Sequence, residues 1–215
     1  MWQKRGQSSN IARLHMWFSF FTNVLTFAVA LILCLSWKAR PINRYFFLFI
    51  LLTGVTAGIA AFGHLPLLHK NWQSGLLMLS RALNLMAIFS FATGALVHFQ
   101  YYDRTWLKVL NPALILIAMS WLAYSNVFTP VMLYGVIGML FIGVLSFILN
   151  FKSDKRTHSI IISGVGLIAL SAAIFATFKH STDFVASDIS HIIIATSLII
   201  LTFGFHQLTP QKIED

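Results

Sequence analysis

The sequence predicts an all-α fold, a seven-transmembrane helix bundle forming one membrane-embedded domain over residues 1–215. Three observations predict it. Hydrophobic residues make up 58% of the chain and charged residues 10%, whereas an ordinary soluble domain holds about 25% charged residues. Apolar runs recur from end to end, and each reaches the roughly 20 residues that a bilayer crossing needs. The connections between the runs are short and polar, and no internal repeat, low-complexity segment or long linker interrupts them.

The spans follow in order. The first, 16–37, ends in the basic "WKAR"; it is too long for a signal-peptide core and has no small-x-small cleavage site. The second, 43–65, follows "KARPIN" and ends near a proline in "AAFGHLP". The third, 74–98, lies between the polar segments "HKNWQS" and "QYYDRT". Only "SNVFTP" separates the fourth, 106–125, from the fifth, 128–151, which fits a tight turn. The sixth, 158–178, follows "FKSDKRT", and the seventh, 184–206, follows "KHSTD". Trp17, Trp37, Tyr45, Trp72 and Trp106 stand near span ends, as an aromatic belt at the bilayer interfaces would. Cys34, the single cysteine, lies within the first apolar run and reads as a buried structural thiol.

The formal net charge is +9, but the basic residues are scattered between apolar runs instead of forming one block. That pattern argues for membrane orientation and against nucleic-acid binding. With the N-terminus outside, the inner segments hold Lys38, Arg40, Arg44, Arg104, Lys108, Lys152, Lys155, Arg156 and Lys212. The outer segments then hold only Lys4, Arg5, Arg13, Lys70 and Lys179. The positive-inside rule therefore predicts an outer N-terminus and an inner C-terminus.

With that orientation, four spans contribute polar groups to one outer layer: Asn23; His64; Ser80, Arg81 and Asn84; and Ser187, Asp188 and His191. At about 1.5 Å per helical residue they lie roughly 5–15 Å below the outer boundary. Arg81 and Asn84 are one turn apart, as are Asp188 and His191, so each pair shares a helix face. A charge facing lipid costs about 2.5–3.5 kcal/mol even on the gentlest scale, so Arg81 and Asp188 should face the bundle interior. They are the opposite charges well inside the spans, and each is the other's expected partner. Asn23, Ser80 and Ser187 taken singly read as interhelical hydrogen-bond glue. His15, His69 and His180 read as interfacial on the outer side, and His98, His158 and His206 as interfacial on the inner side.

The run "TNVLTFAVALILCLSWKARPINRYFFLFILLTGVTAGIAAFGH", with "SDISHIII" in the last span, resembles an uncharacterised bacterial family of seven-helix membrane proteins. That family is distantly similar to the alkaline ceramidase and adiponectin-receptor superfamily. The resemblance implies a bacterial cytoplasmic (inner) membrane. It also implies a zinc-dependent hydrolase acting on a lipid amide or ester, with His64 and His191 as metal ligands. Position 195, where the superfamily carries a further histidine, is alanine, and position 60, where it carries a serine, is also alanine. Asp188 is then either the third ligand or the group that orients His191. On this reading the zinc activates a water and polarises a carbonyl. Asp188 belongs to the catalytic set, and Arg81 or Asn84 would stabilise the oxyanion.

Two other functions compete. One is a non-catalytic protein that binds or senses a lipid or small ligand in the same place. The other is a haem protein, since two histidines from facing helices can ligate a haem. A retinal Schiff base is disfavoured because the seventh span contains no lysine. The expected partners are membrane lipids and a lipid-like substrate.

Overall fold

The computed structural model describes residues 3–37, 43–101, 105–178 and 186–208. Among them are seven long helices and no strand: α1 (Gln3–Ser36), α2 (Arg44–Gly63), α3 (Lys70–His98), α4 (Thr105–Ser125), α5 (Thr129–Leu149), α6 (Lys155–Phe178) and α7 (Ala186–Gln207). Each contains a stretch long and apolar enough to cross a membrane. The helices correspond one for one to the seven predicted spans.

Local chemistry sets their ends. The Asn43 side chain accepts the Tyr45 amide at the start of α2, and His69 does the same for Asn71 at the start of α3. Asp154 accepts the Thr157 amide at the start of α6. These caps satisfy amides that have no partner within their own helix. They also place the starts of α3 and α6 a few residues before the apolar runs begin. Helix α1 begins thirteen residues earlier than its apolar run, which starts at Met16. Nothing in the polar stretch 3–15 breaks a helix, because it holds no proline and its one glycine is tolerated.

The helices pack in a closed circuit. Chain neighbours touch, α7 returns to α1, and α3 also lies against α5. The core is largely aromatic. Phe46 of α2 stacks on Phe205 of α7 at 4.2 Å between ring centres, and Phe91 of α3 and Phe147 of α5 pack around that pair. Close approach depends on small residues. A Cβ at Gly54 would lie 2.5 Å from the Ala30 side chain, so α1 and α2 meet there backbone to backbone. The middle of α5, Val136–Val144, is wound as a π-helix, and the Leu145 amide reaches back to the Leu140 carbonyl. A Cβ at Gly143, within this stretch, would overlap the Phe91 ring. Outward faces carry exposed Phe21, Ile32, Leu116, Ile117, Phe141 and Leu149, the surface that a lipid environment accommodates.

A hydrogen-bonded group joins three helices at mid-depth. The Tyr134 hydroxyl donates to Asn111 Oδ1 at 2.8 Å, and Asn111 Nδ2 donates to Thr93 Oγ1 at 3.1 Å. Asn111 is fully buried and directly precedes Pro112 inside α4. These three side chains tie α3, α4 and α5 together, because side-chain bonds between helices satisfy polar groups that water cannot reach.

Candidate functional site

The site is built from α1 and α7, at the end of the bundle where the apolar part of α1 begins; we call this the entry end. Ser19, Thr22, Asn23 and Thr26 follow the spacing i, i+3, i+4, i+7 and form one polar face of α1. Asp188 lies in the first turn of α7 and is 5% exposed. Ser19 Oγ donates to Asp188 Oδ1 at 2.8 Å, and Thr22 Oγ1 lies at 3.4 Å from the same oxygen. One turn deeper, Thr26 Oγ1 donates to the His191 carbonyl at 3.2 Å. Neutral hydroxyls of α1 thus hold the start of α7 at two successive levels. A hydrogen bond to a charged group is stronger than one between neutral groups, so the Ser19 contact is the firmer one.

Asn23 stands between those levels and is fully buried. Its Nδ2 donates to the Ser19 carbonyl at 2.7 Å. Its Oδ1 has no hydrogen-bond partner among the described residues.

His64 caps the end of α2, its amide bonded to the carbonyls of Ala60 and Ala61. It is half-buried, as is His191. His64 lies within electrostatic reach of both Asp188 and His191. Among the described residues, however, no three His, Cys, Asp or Glu side chains are placed to share an ion. A catalytic zinc needs three protein ligands, and His64, His191 and Asp188 as placed do not by themselves make up that set. Asp188 is also committed to the α1 hydroxyls through Oδ1.

Arg81 is elsewhere. Its Nη1 donates to the Asn126 carbonyl at 2.7 Å and to Asn126 Oδ1 at 3.0 Å. The expected Arg81–Asp188 pair is thus corrected: α3 turns Arg81 toward the α4–α5 turn, while Asp188 faces α1. Asn126 has φ 48°, in the left-handed region, and its Nδ2 reaches Ser74 at 3.4 Å. Arg81 therefore fastens a strained turn. Asn84, one turn along α3, is half-buried. Neither Arg81 nor Asn84 is brought to Asp188 by a contact in the structure.

His158, expected near the inner interface, is enclosed by protein: it is 2% exposed and set edge-on between Phe99 at 5.5 Å and Phe147 at 5.4 Å. Its amide bonds the Asp154 carbonyl at the start of α6. His98 lies in the same aromatic group, beside Phe99 and Phe147. His69 is exposed, as expected. Cys34 is buried, also as expected. His180 and the side chains of His15 and Ser187 lie outside the described residues.

Residues 18–210 match the profile of a family described as a family of unknown function (DUF6962), and the chain belongs to that family. No curated protein and no solved structure matches it.

Proposed function

We propose, from membership of a family of unknown function and the geometry of the entry end, that this is a non-catalytic membrane protein that binds or senses a lipid or small polar ligand beside Asp188. One observation carries the reading: a buried carboxylate is held in place by Ser19 of a neighbouring helix, with His64 of a third helix within electrostatic reach. An ionisable group buried in a membrane-spanning bundle is costly to keep and is by default a candidate for function. The charge bias supports an orientation with the N-terminus outside, in a cytoplasmic membrane, so that the site opens toward the exterior.

Zinc-dependent cleavage of a lipid amide draws less support, because His64, His191 and Asp188 do not form a three-donor set and Arg81 is engaged at Asn126. Elemental analysis separates the two readings. Zinc at one ion per chain, lost in His64→Ala, would favour the hydrolase. Binding itself is tested by native mass spectrometry of the protein in mild detergent. The wild type and an Asp154→Ala control at the opposite end should carry a bound small molecule or lipid. Asp188→Asn, which keeps the side-chain shape and removes its charge, should lose it. Identical adducts on all three proteins would sink the reading.

A further inference from the structure

The class of ligand follows from Asn23. In an asparagine amide, oxygen and nitrogen are told apart by their partners. The Asn23 atom that faces the Ser19 carbonyl must be the nitrogen, because two oxygens would repel; the remaining atom is the acceptor Oδ1. Oδ1 is buried, lacks a hydrogen-bond partner among the described residues, and belongs to a residue that is 0% exposed. A buried acceptor left unsatisfied is costly, so its place in the bundle calls for a donor.

The surroundings say what kind of donor. Asn23 is bracketed along α1 by Ser19, which bonds Asp188, and Thr26, which bonds the His191 backbone. Its face is thus the face that α1 turns to α7. Ser19 links an amide and a carboxylate there: its carbonyl accepts from Asn23 and its hydroxyl donates to Asp188, so two acceptors, Asn23 Oδ1 and the carboxylate, belong to one contact. Neutral imidazoles at His64 and His191 would add further acceptor nitrogens. A group that offers several N–H donors and a positive charge complements this set; a ligand that only accepts does not.

We propose that the entry-end site binds a primary alkylammonium group, which donates to Asn23 Oδ1 and to the Asp188 carboxylate. This inference rests on the binding function proposed above and narrows it. The ammonium has two possible sources, an ethanolamine lipid headgroup or a soluble amine, and they share this chemistry.

The test uses the contrast between ammonium and trimethylammonium, which carry the same charge but differ in N–H donors. The full-length wild-type protein is placed in nanodiscs of equal phosphatidylethanolamine and phosphatidylcholine, and retained lipid is counted by native mass spectrometry. Separately, ethanolamine or choline is titrated into phosphatidylcholine nanodiscs and thermal unfolding is followed. A preference of about tenfold for phosphatidylethanolamine assigns the ammonium to lipid. Stabilisation by ethanolamine and not by choline assigns it to a soluble amine. Either result supports the proposal, and Asn23→Leu should abolish the preference. Equal retention of both lipids, together with equal effects of ethanolamine and choline, overturns it and leaves an ordered water as the partner of Asn23. Because the wild type alone decides between these outcomes, misfolding of Asn23→Leu does not obscure them. If the Asp188→Asn adducts still differ from wild type, binding stands and only the ammonium falls. If they do not, both fall.

Discussion

Asp154 and Ser19 show how single side chains hold helix starts in this bundle. Asp154 accepts the Thr157 amide at 3.1 Å. Hydrogen bonds from the Thr157 hydroxyl and amide keep its carboxyl below its ordinary value of 3.8. A carboxylate whose pKa falls on folding contributes stability above its unfolded pKa and loses it as pH drops through the folded one. Asp154→Ala should therefore cost about 1 kcal/mol at neutral pH. Thermal unfolding in detergent should show that difference shrinking below about pH 4, since the unperturbed Asp pKa is about 3.9. Ser19→Ala removes the Asp188 contact from α1, and the average worth of an interhelical bond in a membrane protein puts the loss near about 0.6 kcal/mol. A value above roughly 2 kcal/mol in the same assay would show that the charged bond behaves as a buried ionic contact. Asp188 and His191 are legible in the sequence because an acid inside an apolar run stands out. Ser19, Thr22 and Thr26 are not, since hydroxyl residues are common in membrane helices and only the α1 face they share against α7 gives them meaning.

Helices α3 and α5 carry the packing that the apolar pattern leaves open. The sequence places seven spans because length and hydrophobicity suffice to locate a crossing helix. It does not show which neighbour each face meets, so charge alone pairs Arg81 with Asp188 when α3 in fact turns it to Asn126. Arg81→Gln should loosen the α4–α5 turn. Hydrogen exchange of amides in the segment 125–128 should then quicken about tenfold, the change expected for losing a charged hydrogen bond. Unchanged exchange there would mean that the turn holds itself. In α5, Gly143 leaves the space that the Phe91 ring fills. Gly143→Val would overpack that contact, and an unfolding shift of about 1–3 kcal/mol is expected. The π-winding around it has no signature in composition; its two glycines, Gly138 and Gly143, are ordinary for a membrane helix.

At the scale of the whole molecule, the two ends of the bundle differ in chemistry. The entry end joins hydroxyls, an amide, a carboxylate and imidazoles across α1, α2 and α7. The opposite end sets His98 and His158 among Phe99 and Phe147, below a loop rich in cations. A reporter fused at the C-terminus should read cytoplasmic, and one at the N-terminus external; reversed readings would place Asp188 at the inner face instead. The seven spans and the buried acid Asp188 can be read from spacing and charge, but the partners of Asp188 and the histidine group at the opposite end cannot. Its residues come from α3 and α6, and nothing in the chain order announces that Phe147 of α5 stands between them. That placement has a mechanical consequence. Phe147 follows closely on nine loosely coiled residues, Val136–Val144. Successive residues of an ordinary helix turn by about 100°, and wider coiling turns each by less. Tightening that stretch would screw Leu145–Leu149 around its own axis and sweep the Phe147 ring away from Phe46 and His158. The wide winding of the fifth span thus sets the direction in which Phe147 meets Phe46 and His158.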